Sequence, residues 1–404
     1  MVKMTRAASV TALVGLALGI ATLVASPARA IGTSDQAASI LYWPKVVYDG
    51  TTDTLIRLSN VDTSAPTQAH CYYIDANSHC SNNPTQICDP QRNECGAGSC
   101  VPGWMEIDFD VVLTFEQPLA WNASRGIRRA ELPLVPGKPP LLGGACNETG
   151  FPCGFSYPGC TCNFGQTNVG TGVPPVPEVP FVGALECIQY APPQGSTPAR
   201  PDNQAGAKNK LIGQATFLAT PGGLPVDAAS YNATGLRFRG VEAGVPGNEL
   251  RLDDVQYDSC PTVLVLDHLF DNAIIGGGNV TDLTLVPCGN NFAAQIPGSV
   301  TAQFLVFNEF EQRFSTTRAV PCFLESQLSL LDTTNPTRSI FSFQVAGTWA
   351  GQTRIRPVGT ADTGRGLTGA AWMRTNIGSA AYNLHQNGNP AFVNGLRPDI
   401  ITLP

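Results

Sequence analysis

Along most of this chain, short runs of Val, Ile, Leu, Phe and Thr alternate with polar residues and stop at Gly, Pro, Asn or Asp. That period of two, punctuated by turn formers, is the pattern of strands that bury one face. It predicts strands over 54–59, 70–74, 107–115, 181–188, 211–218 and 250–253. A second set is predicted over 262–266, 283–286, 300–307, 339–345 and 352–356. Helical periodicity is nearly absent after residue 30, so the expectation is an all-β chain of packed sandwiches.

Residues 1–30 break the pattern. Lys3 and Arg6 precede an apolar run from Ala7 to Ala25, and Ala28-Arg29-Ala30 follows Ser-Pro, which together read as a cleavable signal peptide with a mature chain from Ile31. The run is 19 residues long, so an uncleaved leader acting as a membrane anchor is the alternative. No later stretch is long and apolar enough to span a bilayer. The expected location is therefore outside the cytoplasm: secreted, periplasmic or on the cell surface.

Export changes how the 13 cysteines read, because thiols that reach an oxidising compartment cross-link. Two polar, Gly-rich insertions interrupt the strands. One, 75–103, holds Cys80, Cys88, Cys95 and Cys100; the other, 143–165, holds Cys146, Cys153, Cys160 and Cys162. Neither has the paired CxxC spacing of a zinc site or the CxxCH of haem attachment. Cross-links are what would hold such segments in shape, since they bury too little apolar surface to offset their ordering entropy. Cys71 and Cys187 fall on predicted strands of the first half and are expected to bridge its two sheets; Cys288 and Cys322 are expected to do so in the second, leaving Cys260 as the odd one.

The mature length of 374 residues suits two domains, a sandwich over 31–253 carrying both insertions and a second over 254–404. A loose echo of Thr54–Asn60 in Asp282–Cys288 supports related halves. The chain has 24 basic and 31 acidic residues; three basic ones lie in the leader, so the mature balance is −10. With five scattered lysines and no basic block, nucleic acid is excluded as a partner class.

Candidate chemistry is sparse. Trp104-Met-Glu106-Ile-Asp108-Phe-Asp110 places Glu106, Asp108 and Asp110 on one strand face, where paired carboxylates would serve a glycosidase and a wet face would equally need them. Asp253, Asp254 and Asp258 crowd a turn and form a weak calcium candidate without EF-hand spacing. No other cofactor is implied. His70, His79, His268 and His385 join no nucleophile motif. Five tryptophans, Trp43, Trp104, Trp121, Trp349 and Trp372, sit beside apolar strands and are expected between sheets. Asn-x-Ser/Thr sequons at Asn122, Asn147, Asn232 and Asn279 would mark surface loops.

Several strings, His70-Cys-Tyr-Tyr-Ile, Asp110-Val-Val-Leu-Thr-Phe-Glu-Gln-Pro-Leu-Ala-Trp121, Tyr231-Asn-Ala-Thr-Gly235, Gln303-Phe-Leu-Val-Phe-Asn-Glu-Phe-Glu-Gln-Arg-Phe314 and Ala346-Gly-Thr-Trp-Ala-Gly-Gln-Thr-Arg-Ile-Arg356, resemble those of secreted bacterial β-sandwich proteins without characterised activity. The resemblance implies an immunoglobulin-like fold and carries over no catalytic residue. The reading is of a secreted, non-enzymatic structural, adhesion or surface-interaction protein with an extracellular protein or glycan as ligand. The alternative is a carbohydrate-active enzyme or lectin-like module.

Overall fold

A computed structural model describes residues 33–88, 94–101, 103–127, 160–161, 167–168, 173–191, 200–201, 209–219, 227–272, 278–358, 366–386 and 399–404. The leader, Asn147, Cys146, Cys153 and Cys162 lie outside the described residues. Residues Ile31–Pro404 form one compact unit. Among the described residues no helix is long and apolar enough to cross a membrane.

The described residues are almost all β, with only short helical turns among the strands. Its earlier strands are β1 (Ile40–Tyr48), β2 (Thr52–Asn60), β3 (Thr67–Asp75), β4 (His79–Cys80), β5 (Asn83–Ile87), β6 (Cys100–Val101), β7 (Met105–Leu113) and β8 (Pro118–Asn122). There follow β9 (Cys160–Thr161), β10 (Thr167–Asn168), β11 (Phe181–Ala191), β12 (Arg200–Pro201), β13 (Leu211–Ala219), β14 (Asp227–Asn232), β15 (Thr234–Leu236) and β16 (Glu249–Leu252). The later strands are β17 (Leu264–Leu269), β18 (Asn279–Pro287), β19 (Ser299–Asn308), β20 (Arg313–Pro321), β21 (Leu324–Gln327), β22 (Ala350–Val358), β23 (Leu367–Thr375), β24 (Gly378–Asn383), β25 (His385–Gln386) and β26 (Asp399–Thr402).

One sheet runs β15-β1-β11-β3-β7, with β12 beside β11, and a second runs β14-β13-β2-β8. Period two decides what lies between them. Leu41, Trp43, Cys71, Tyr73, Leu185 and Cys187 of the first sheet meet Ile56, Leu58, Ala215, Phe217 and Tyr231 of the second in one core. Trp43 fits there because β13 offers Gly213, where a Cβ would stand 2.1 Å from its ring. Two more sheets, β20-β19-β22-β17-β25 and β21-β18-β23-β24, enclose a core around Phe304, Val306, Ile355, Leu283 and Leu285.

The first sheet buries its other face as well. Ile40, Tyr42, Tyr72, Ile74, Ala184 and Ile188 pack with Leu250, Leu252, Tyr257, Val286, Phe292 and Ile401, drawing in the β16–β26 ladder. A strand covered on both faces loses its alternation, and β1 is buried at eight consecutive positions. Pro44 and Lys45 sit at a bulge where the β1 pairing shifts between Trp43 and Val46, which accommodates the missing proline N–H.

Two sequence expectations need correction. Ser339–Val345 is not a strand: Asp332 accepts from Ser339 Oγ and Ile340 N, Ser339 Oγ accepts from Phe341 N, and a helical turn begins at Phe343. These hydroxyl and carboxylate groups satisfy the backbone locally and so compete with a ladder. Disulfide pairing also differs. Cys71 and Cys187 stand directly opposite on β3 and β11, so their bond joins neighbours within a sheet and does not bridge two sheets. Cys260 pairs with Cys288, and Cys322 is, among the described residues, a buried free thiol.

Candidate functional site

The acidic row occupies the face the alternation assigns it. Phe109 and Val111 are buried, while Asp108 and Asp110 are exposed on β7, the edge strand of the first sheet. His70 lies directly opposite Asp110 on β3; its Nδ1 is 2.8 Å from Asp110 Oδ1 and its Nε2 is 3.4 Å from Asp108 Oδ2. Its ring stacks on Tyr190, with centroids 5.5 Å apart. Although partial burial acts upward on Asp110, the His70 hydrogen bond and charge hold its carboxyl below the ordinary range. Both carboxylates thus turn to one imidazole.

In register with Asp108, the ladder brings Tyr72, Glu186 and Tyr42 into one transverse row across β3, β11 and β1. Glu186 is 1 % exposed, and burial pushes its carboxyl up to about 8. Asn290 Nδ2 donates to its Oε2 at 3.2 Å. Gln295 Nε2 donates to Glu106 at 2.5 Å. The sequence marks Glu186 only as a lone acid within the apolar run Ala184-Leu-Glu-Cys-Ile188. Its partners are about a hundred residues away.

Asp253, Asp254 and Asp258 have other partners than a cation. Asp258 is 0 % exposed and accepts from Arg237 Nε (3.0 Å) and Arg239 Nε (2.5 Å). Asp253 Oδ1 caps the turn through Val255 N and Gln256 N, and Asp254 Oδ1 accepts from Ser259 N. Two guanidinium groups supply the positive charge there.

The first insertion folds into a three-stranded sheet, β5-β4-β6, stapled by Cys80–Cys95 and Cys88–Cys100. Cys80, Cys88 and Cys95, close enough to suggest a metal cluster, are all consumed in these disulfides. At its base Glu178 Oε1 accepts from Asn77 Nδ2 (2.5 Å) and its Oε2 faces His79 Nε2 (2.9 Å). Nearby Asp75 is 1 % exposed; burial, with the Glu178 charge adding to it, pushes its carboxyl up to about 7.

Between this hairpin and β21 lies a groove of about 840 Å³. Ile87, Val182, Phe323, Leu324 and Leu330 give it apolar walls. Among the described lining residues Glu325 alone is charged, and it forms an ion pair with Lys45, which is 1 % exposed. Lys45 and Arg374 lie over the Trp372 ring, at 5.7 and 4.9 Å from its centroid.

Trp43, Trp121 and Trp372 are buried as expected, and Trp349 is not, being 49 % exposed. Of the sequons, Asn232 is exposed, but Asn279 is buried and cannot mark a surface loop. A second hollow of about 490 Å³ is lined by Asp35, Asn232, Tyr382, Asn383, His385 and Gln386 among others. Compared with known protein families, with curated proteins and with solved structures, the chain matches none.

Proposed function

We propose that this is an exported, disulfide-braced, non-enzymatic protein that acts by holding a ligand at its surface, in the manner of an adhesion or envelope component. The two layered halves are read as immunoglobulin-like sandwich modules, in keeping with the secreted bacterial β-sandwich proteins its strings resemble. The observation that carries this reading is the groove beside the stapled hairpin: a preformed concavity of mixed apolar and polar lining, whose one charge among the described residues is paired with Lys45, suits binding. The carboxylates considered for hydrolysis already have protein partners, Asp108 and Asp110 in His70 and Glu106 in Gln295. The test is to present purified mature protein with glycan, ester and peptide substrates across pH. No turnover is expected; a bell-shaped pH profile would overturn the reading.

A second reading, a lectin-like module, is favoured by the 490 Å³ hollow, whose amide, carboxylate, phenol and imidazole groups match sugar hydroxyls. Binding on a glycan array that is lost in Asn383→Ala and His385→Ala would select it.

A further inference from the structure

We infer that the groove beside the stapled hairpin takes an extended, uncharged polypeptide segment of a partner protein, which adds as a strand along β21. The inference rests on the ligand-holding reading above and names the partner's chemistry. β21 ends its sheet: among the described strands it pairs with β18 alone. A strand with one neighbour carries a row of backbone N–H and C=O groups on its other side. All four β21 residues, Leu324, Glu325, Ser326 and Gln327, line the groove and are half-buried, so the hollow runs along the strand for its length of roughly 13 Å.

Three of the polar side chains around β21 are already engaged. Asn77 Nδ2 is engaged by Glu178 and Pro180 O, Gln327 Nε2 by Ser329 Oγ and Asp271, and Ser326 Oγ by Gln327 O. Glu325 is neutralised by Lys45. A lining without free charge among the described residues favours an uncharged occupant, since a buried unpaired charge is costly. Across from β21, the hairpin wall of Ser78, Ile87 and Cys88 is fixed by the Cys88–Cys100 bond, which lowers the ordering cost of binding. Strand addition of this kind draws affinity from main-chain bonds and specificity from pockets for alternate side chains.

The experiment selects a phage-displayed library of random 12-residue peptides against the full mature protein, then remakes the enriched peptide with single N-methyl groups at each position. Expected are an apolar, uncharged consensus, slowed amide exchange within Leu324–Gln327 on binding, and about tenfold loss of affinity at alternating N-methyl positions. Leu330→Asp, a half-exposed wall residue, should cost a similar factor while leaving the melting temperature unchanged. No enrichment, or an enriched peptide indifferent to every N-methyl group, overturns the inference. So does a protein that dimerises by itself with β21 protected, because the occupant is then a second copy. Turnover of a substrate with peptide binding intact would sink only the non-enzymatic reading.

Discussion

Phe292 lies flat on Tyr72, ring centroids 3.9 Å apart and planes 7° from parallel, although 220 residues of sequence separate them. The segment that carries Phe292 also delivers Asn290 to Glu186 and Gln295 to Glu106. It therefore closes the second face of the first sheet and keeps water from Glu186. That coupling has a pH signature. The folded carboxyl of Glu186, at about 8, lies above its unfolded value of about 4.3, so the folded state holds the extra proton between these limits. Its contribution to stability is complete below about pH 4 and is lost as pH rises through 8.

Glu186→Gln should shrink the fall in unfolding free energy between pH 5 and pH 9 by roughly 2 to 4 kcal/mol, read by urea melts. An unchanged slope would place the carboxylate in water. On the acid side, burial brings His268 down to about 4, below its unfolded 6.5. Its contribution is complete above pH 6.5 and is lost as pH falls toward 4, a loss that His268→Gln should remove.

The disulfides should separate into global and local braces. Cys71–Cys187 closes a span of 116 residues inside the first sheet, and the double alanine variant should lose about 2 to 5 kcal/mol of global stability. Cys88–Cys100 closes only 12 residues at the hairpin. Its double serine variant should melt within a few degrees of the parent yet be cut by protease between Cys80 and Cys100.

Asp258 tests the acidic turn. Removing its carboxylate leaves Arg237 and Arg239 short of a partner, so Asp258→Ala should cost about 2 to 4 kcal/mol, more than Asp254→Ala. The melting temperature of the parent should be the same in excess calcium and in chelator; a rise of several degrees with calcium would assign the turn to a cation instead.

Strands such as β7 were legible where period two survives over a wet face, as at Glu106-Ile-Asp-Phe-Asp110. β1 was not, because both of its faces are buried and Pro44-Lys45 interrupts its run at a bulge. Ile340, Phe341 and Phe343 imitate a strand, but Asp332 takes the amide of Ile340, Ser339 Oγ that of Phe341, and the Asp271 carbonyl that of Phe343. The site was less legible still. Its acidic row could be read locally, whereas Glu186 with Asn290, and the groove that joins Asn77 to Leu324, depend on contacts across hundreds of residues.

The most direct measurement is non-reducing peptide mapping of native protein recovered outside the cytoplasm. The expected result is a chain beginning near Ile31, with bonds Cys71–Cys187, Cys80–Cys95, Cys88–Cys100 and Cys260–Cys288. Cys322, its thiol pushed up to about 12 by burial, should react with alkylating reagent only after unfolding. Reduced thiols throughout a cytosolic protein that retains its leader would contradict the account.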